Sequence, residues 1–92
     1  MGGMVGVPRL SPAELVSGWP DVATDDPAGE VARRVALELR SAIDSHGLRA
    51  FADQVDLNHS TLLGVLAGRT WPSVQLIARM EAVLARPVWP HR

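Results

Sequence analysis

The chain has 92 residues, 47% of them apolar, with a formal net charge of −1 and no cysteine. That length accommodates one domain around one core, and the lack of Cys excludes disulfide frameworks, thiolate catalysis and Cys-ligated zinc or iron–sulfur centres. With one Phe and no Tyr, the core falls to Leu, Val, Ala, Ile and Met, which favours helices over a β-sandwich. A uniformly basic nucleic-acid binder is excluded by the net charge, but the charge is unevenly placed. From Glu30 onward eight Arg stand against six acids, and between Leu57 and Met80 there is no acid while Arg69 and Arg79 remain. Any anion-facing surface is expected there.

Met1 to Gly6 have neither a basic start nor a long apolar run, so no secretory signal or membrane span is expected and a cytoplasmic location fits. Residues 1–26 carry three of the seven Pro and read as a flexible N-terminal arm, dispensable for folding of the domain at 27–92. Within the arm, Ser11-Pro12-Ala13-Glu14 supplies an N-cap, a first-turn Pro and an acid at the third position, predicting a short helix over about 12–17. Asp26-Pro27 starts a second helix, about 27–45, on whose face Val31, Val35, Leu39, Ala42 and Ile43 recur at helical spacing. Leu37 lies on the opposite face, where it is either a lone exposed residue or the receiver of the arm or a partner. If the arm docks at all, Trp19 is expected beside Leu37.

Gly47 stops that helix, and Leu48–Val55 reads as a third with Leu48, Phe51, Ala52 and Val55 inward. Asp56-Leu57-Asn58 forms a turn in which Asp tolerates left-handed backbone and Asn58 caps the next helix, 59–67. Gly68 ends it, and Thr70-Trp71-Pro72-Ser73 leads into a last helix over about 73–85, with Leu76, Ile77, Met80, Val83 and Leu84 inward. Pro87 closes that helix. Trp89 either folds back on the core or buries against a second copy. The predicted class is all-α, a compact four- to five-helix domain.

Two short helices joined by a three-residue turn, between longer ones, are a known way to present a helix to the DNA major groove. From Leu48 to Leu84 the sequence resembles the phage-repressor-like (Xre/Cro-type) helix-turn-helix family. The resemblance rests on Phe51-Ala52, Leu57-Asn58, Ser60-Thr61-Leu62, Gly68-Arg69 and Pro72-Ser73, with Ile77, Met80 and Leu84 at the apolar positions of the next helix. Asp56 in place of the usual turn glycine, Glu81 in place of a small residue and a shorter Ser45-His46-Gly47 link depart from the pattern. The resemblance implies a lambda-repressor-like domain that binds double-stranded DNA and regulates transcription, reading the major groove with helix 59–67.

On a helical projection Leu62, Val65 and Leu66 face inward, while His59, Ser60, Leu63, Gly64 and Ala67 face outward. By the resemblance, His59, Ser60, Leu63 and Gly64 are the base-reading candidates. His and Ser can hydrogen-bond base edges, Leu63 can pack on a thymine methyl, and Gly64 lets the backbone approach. Phosphate contacts are expected from Arg49, Asn58, Thr61, Arg69 and Thr70. Each residue also has a plainer role: Ser60 and Thr61 as helix caps, His59 as a helix-start residue, Leu63 and Ala67 as cover for another protein surface. The alternative function is therefore a protein-interaction module, antitoxin-like or accessory. No enzyme, metal or cofactor is expected, because His46, His59 and His91 fall on separate segments and no catalytic spacing occurs. A homodimer, through the tail around Trp89, is expected on DNA.

Overall fold

A computed structural model of the chain describes residues 10–89, and these contain five α-helices and no strand. Helix α1 spans Pro12–Leu15, α2 Pro27–His46, α3 Leu48–Val55, α4 His59–Leu66 and α5 Val74–Leu84. The helix boundaries read from the sequence hold to within two residues. No helix among the described residues is long and apolar enough to cross a membrane.

Except at α3, whose N-cap Gly47 has no side chain to offer, each helix start is fixed by its own cap. Asp26 accepts from Gly29 N–H at 2.7 Å, Asn58 from Thr61 N–H at 3.1 Å and Ser73 from Leu76 N–H at 2.9 Å, each satisfying a backbone donor that the first turn leaves open. In α1 the Glu14 carboxylate instead accepts from Ser11 N–H at 2.7 Å. These bonds to Ser11 hold the Glu14 carboxyl below its ordinary pKa.

The core is the expected apolar set. Val35 and Leu39 of α2, Phe51 and Val55 of α3, Leu62 and Val65 of α4, and Leu76 and Met80 of α5 meet in one buried cluster. Phe51, at its centre, is fully buried and also stacks on His46 with ring centroids 6.0 Å apart. The tail returns to this cluster through Val88, 4% exposed, whereas Trp89 stays 44% exposed. Glu81 makes the return possible, its carboxylate accepting from Val88 N–H at 2.8 Å and Trp89 N–H at 3.1 Å. That gives the unusual acid in α5 a structural role.

The arm is where structure and sequence reading part. Residues 1–9 of it lie outside the described residues, but residues 10–26 pack on the helices. Val16 is 1% exposed and Pro12 is buried. Trp19 does not meet Leu37. Its Nε1–H donates to Leu66 O at 3.0 Å, and its ring closes over Gly68, where an added Cβ would lie 2.8 Å from Cε2 and 2.7 Å from the Ala13 Cβ. Ala13 N–H donates to Gly68 O at 2.9 Å, and Trp71 Nε1–H to Leu10 O at 3.1 Å. The segment is thus a strap across the C-terminal end of α4, attached because it supplies partners for carbonyls that the end of a helix leaves open.

The strap is also tied to α2. Arg33, 9% exposed, donates from Nη1 to Pro20 O at 3.2 Å and pairs with Glu30 at 2.7 Å, while Glu30 also binds Arg34 at 2.9 Å and Thr24 N–H at 3.2 Å. The bonds from Arg33, then Arg34, hold the Glu30 carboxyl far below its ordinary value, and the same contact raises Arg33. Leu37 instead lines a groove with Arg34 and the tail residues 86–89.

Candidate nucleic-acid interface

The segment α3–turn–α4 is built from the residues that the sequence reading assigned to it. Asp56 adopts left-handed backbone, φ 56° and ψ 48°, and its N–H closes the end of α3. Leu57 N–H then donates to Ala52 O at 3.1 Å, so the chain reverses within three residues and Asn58 opens α4. Leu62 and Val65 anchor α4 in the core, at 0% and 2% exposure. A helix anchored along one side presents the other to solvent. Here that outer side carries Ser60, Thr61, Leu63 and Ala67, with His59 half-exposed at its start.

Gly64 does not belong to that outer face. It is buried beneath Thr70, whose Oγ1 would lie 3.0 Å from an added Cβ, and its carbonyl accepts from Arg69 N–H at 2.9 Å and Thr70 N–H at 3.3 Å. The loop after α4 folds back over this position, which corrects its assignment as a base-reading residue. The Gly is needed for the loop to approach, not for DNA to do so.

Ser60, Thr61 and Thr70 are brought together around one shallow concavity, with Trp71 and Ser73 on its other side. Ser60 and Asn58 also serve each other, since Ser60 Oγ donates to Asn58 Oδ1 at 2.7 Å. Asn58 itself lines a separate depression with Asp53 and Asp56. His59, Leu63, Arg49 and Arg69 line neither.

Arg49 and Arg69 are exposed, and their guanidinium groups have no hydrogen-bond or ion-pair partner among the described residues. Arg79, the other cation of the acid-free stretch, is engaged elsewhere. Its Nη1 donates to Val55 O at 3.1 Å and Asp56 O at 2.8 Å, capping α3. Of the two cations singled out between Leu57 and Met80, Arg69 is therefore the one left to face an anion. The Asp56 carboxylate, its side chain 95% exposed, adds a negative charge at the entry to α4.

Comparison with protein-family models, curated proteins and solved structures finds no match for this chain.

Proposed function

We propose that the protein is a non-enzymatic, sequence-specific DNA-binding regulator of the lambda-repressor-like helix-turn-helix type, acting in the cytoplasm. The observation that carries the reading is α4 itself. It is anchored on its inner side by Leu62 and Val65, entered through a three-residue turn, and open on an outer side that bears no acid. Such a helix fits the width of the major groove. His59 and Ser60 would offer hydrogen bonds to base edges and Leu63 an apolar contact to a thymine methyl. Arg49, Arg69, Asn58, Thr61 and Thr70 would meet the phosphates. A single domain of net charge −1 makes few such contacts, so two copies on neighbouring half-sites belong to the proposal.

The test is fluorescence anisotropy with duplex DNA at two salt concentrations. Binding should weaken steeply with salt, and Arg69→Ala should lower the salt slope by about one unit. Ser60→Ala and His59→Ala should instead change the preferred sequence, by about 1–3 kcal/mol per lost base contact. Absence of salt-dependent binding would overturn the reading. It would leave the second one, a protein-interaction module, which the exposure of Leu63 (42%) and Ala67 on the same side favours.

A further inference from the structure

The tail returns along α2 and closes a groove of about 600 Å³, within the size range of small-ligand pockets. Its lining side chains are of two kinds. Leu37, Pro87, Val88 and Trp89 supply apolar surface, and Arg33, Arg34 and Arg86 stand against a single acid, Glu38. The groove is already formed, because Glu81 holds the Val88 and Trp89 amides from behind and Arg86 pairs with Glu38 at 2.6 Å. None of its residues lines the depressions beside α4.

The three arginines are not equally committed. Every guanidinium nitrogen of buried Arg33 has a partner, Nε and Nη2 donating to Glu30 and Nη1 to Pro20 O. Arg34 instead gives Glu30 only its Nε–H, and Arg86 meets Glu38 only through Nη2. Both side chains are about half exposed, so among the described residues each keeps most of its five N–H donors open. A planar guanidinium with open N–H groups takes a carboxylate through two parallel bonds. Beside these cations the lining has no hydroxyl or amide side chain, the groups that would recognise a sugar or a base edge. We infer that this groove binds a small organic acid with an apolar body, its carboxylate on Arg34 and Arg86 and its body on Leu37 and Trp89. The site is independent of the DNA-binding reading, and it is tested without DNA.

Isothermal titration of the full chain with naphthoate and with octanoate, paired with backbone amide shifts, probes the site. At least one of the two acids should bind saturably with a Kd of about 1 mM or tighter, shifting amides at 33–38 and 86–89. The matching neutral alcohol, naphthylmethanol or octanol, and inorganic phosphate should each bind at least about fivefold more weakly, since one lacks the charge and the other the apolar body. Arg34→Gln and Arg86→Gln should each weaken the acid about threefold or more, and the double variant should bind acid and alcohol equally. Trp89→Ser should weaken acid and alcohol alike. Val74→Ser, at an exposed residue outside this groove, should change neither, and circular dichroism identifies the variants that keep the fold. No saturable binding of either acid overturns the inference. So do equal binding of acid and alcohol by the native chain, equal binding of acid and phosphate, shifts centred outside the groove, or native acid affinity in the folded Arg86→Gln chain.

Discussion

The two ends of α4 are held in different ways. At its start, Asn58 accepts from Thr61 N–H and Ser60 Oγ–H, all within three residues of one another. At its end, Leu66 O is bonded by Trp19, 47 positions earlier, and Gly68 O by Ala13. The first arrangement costs little chain entropy and forms with the helix. The second requires a long loop to be closed before it contributes anything. The entry to the proposed reading helix is thus set locally, while its exit depends on a strap that has already docked.

Deleting residues 1–21 tests that dependence and should have the largest effect. The cut leaves the Asp26 cap of α2 in place but removes buried Val16, the Trp19 ring and three bonds to the end of α4 and its loop. These losses sum to about 4–6 kcal/mol, comparable with the whole stability of a small domain. Urea titration should find the truncated chain largely unfolded in buffer. A cooperative transition of native midpoint would show that α4 needs no support at its C-terminal end.

Gly68→Ala attacks the same junction at one atom. Gly68 has φ +74°, and an added Cβ would lie 2.7 Å from the Ala13 Cβ and 2.8 Å from Trp19 Cε2. Left-handed strain and overpacking together should cost about 2–4 kcal/mol. Combined with Trp19→Ala, the penalty should fall below the sum of the two single effects, because part of it is the clash with that ring. Strict additivity would show that backbone conformation alone makes Gly68 necessary.

Acid should loosen the strap before the core. Glu30 links Arg33 and Arg34 to Thr24 N–H, and its folded carboxyl lies far below the ordinary 4.5. A depressed carboxylate contributes stability that is present above its ordinary value and is lost as pH falls toward the folded one, because the unfolded chain takes up the proton first. Unfolding midpoints should therefore decline below about pH 4.5, and amide exchange at Ala13, bonded to Gly68 O, should quicken ahead of exchange in α3. Glu30→Gln should be weaker at neutral pH and flatter with acid. A decline of equal slope in Glu30→Gln would assign the acid sensitivity to other carboxylates.

The same contrast explains what was legible in the sequence. Caps at Ser11, Asp26, Asn58 and Ser73 and the left-handed turn at Asp56 are encoded within three or four residues, so the order and bounds of the helices could be read directly. The inward faces followed from periodicity. The strap could not be read in this way, because neither Trp19 nor Leu10 carries a local sign of a partner 47 or 61 positions away. Gly18-Trp19-Pro20 sets its indole between two turn-forming residues, which point to a loop and not to a docked ring. Gly64 was misplaced for a related reason: helical projection puts it outward, and only the returning loop, with Thr70 on top of it, removes it from the surface. A glycine in the last turn of the helix and a second just after it are the available signal that something packs closely there.

Asp56→Gly carries the smallest expected effect and bears on the other end of α4. At φ 56° an Asp is tolerated but strained, and Gly removes the strain while adding freedom to the unfolded chain; the two nearly cancel. The Asp56 carboxylate is 4.0 Å from Arg79 Nη1 and its side chain is 95% exposed, so that ion pair is worth little. Arg79 meanwhile keeps its bonds to the backbone oxygens of residues 55 and 56. Stability should therefore move by less than about 1 kcal/mol. DNA affinity should change more clearly, because the substitution removes a negative charge at the entry of the proposed reading helix. Non-specific binding should tighten about two- to fivefold at low salt and by less at high salt. Asp56→Asn, which also tolerates left-handed backbone, should reproduce the gain and separate charge from conformation. Equal DNA affinity of Asp56, Asn and Gly forms at low salt would place the turn away from the phosphates, and α4 would then have to be oriented differently on the duplex or face a protein instead.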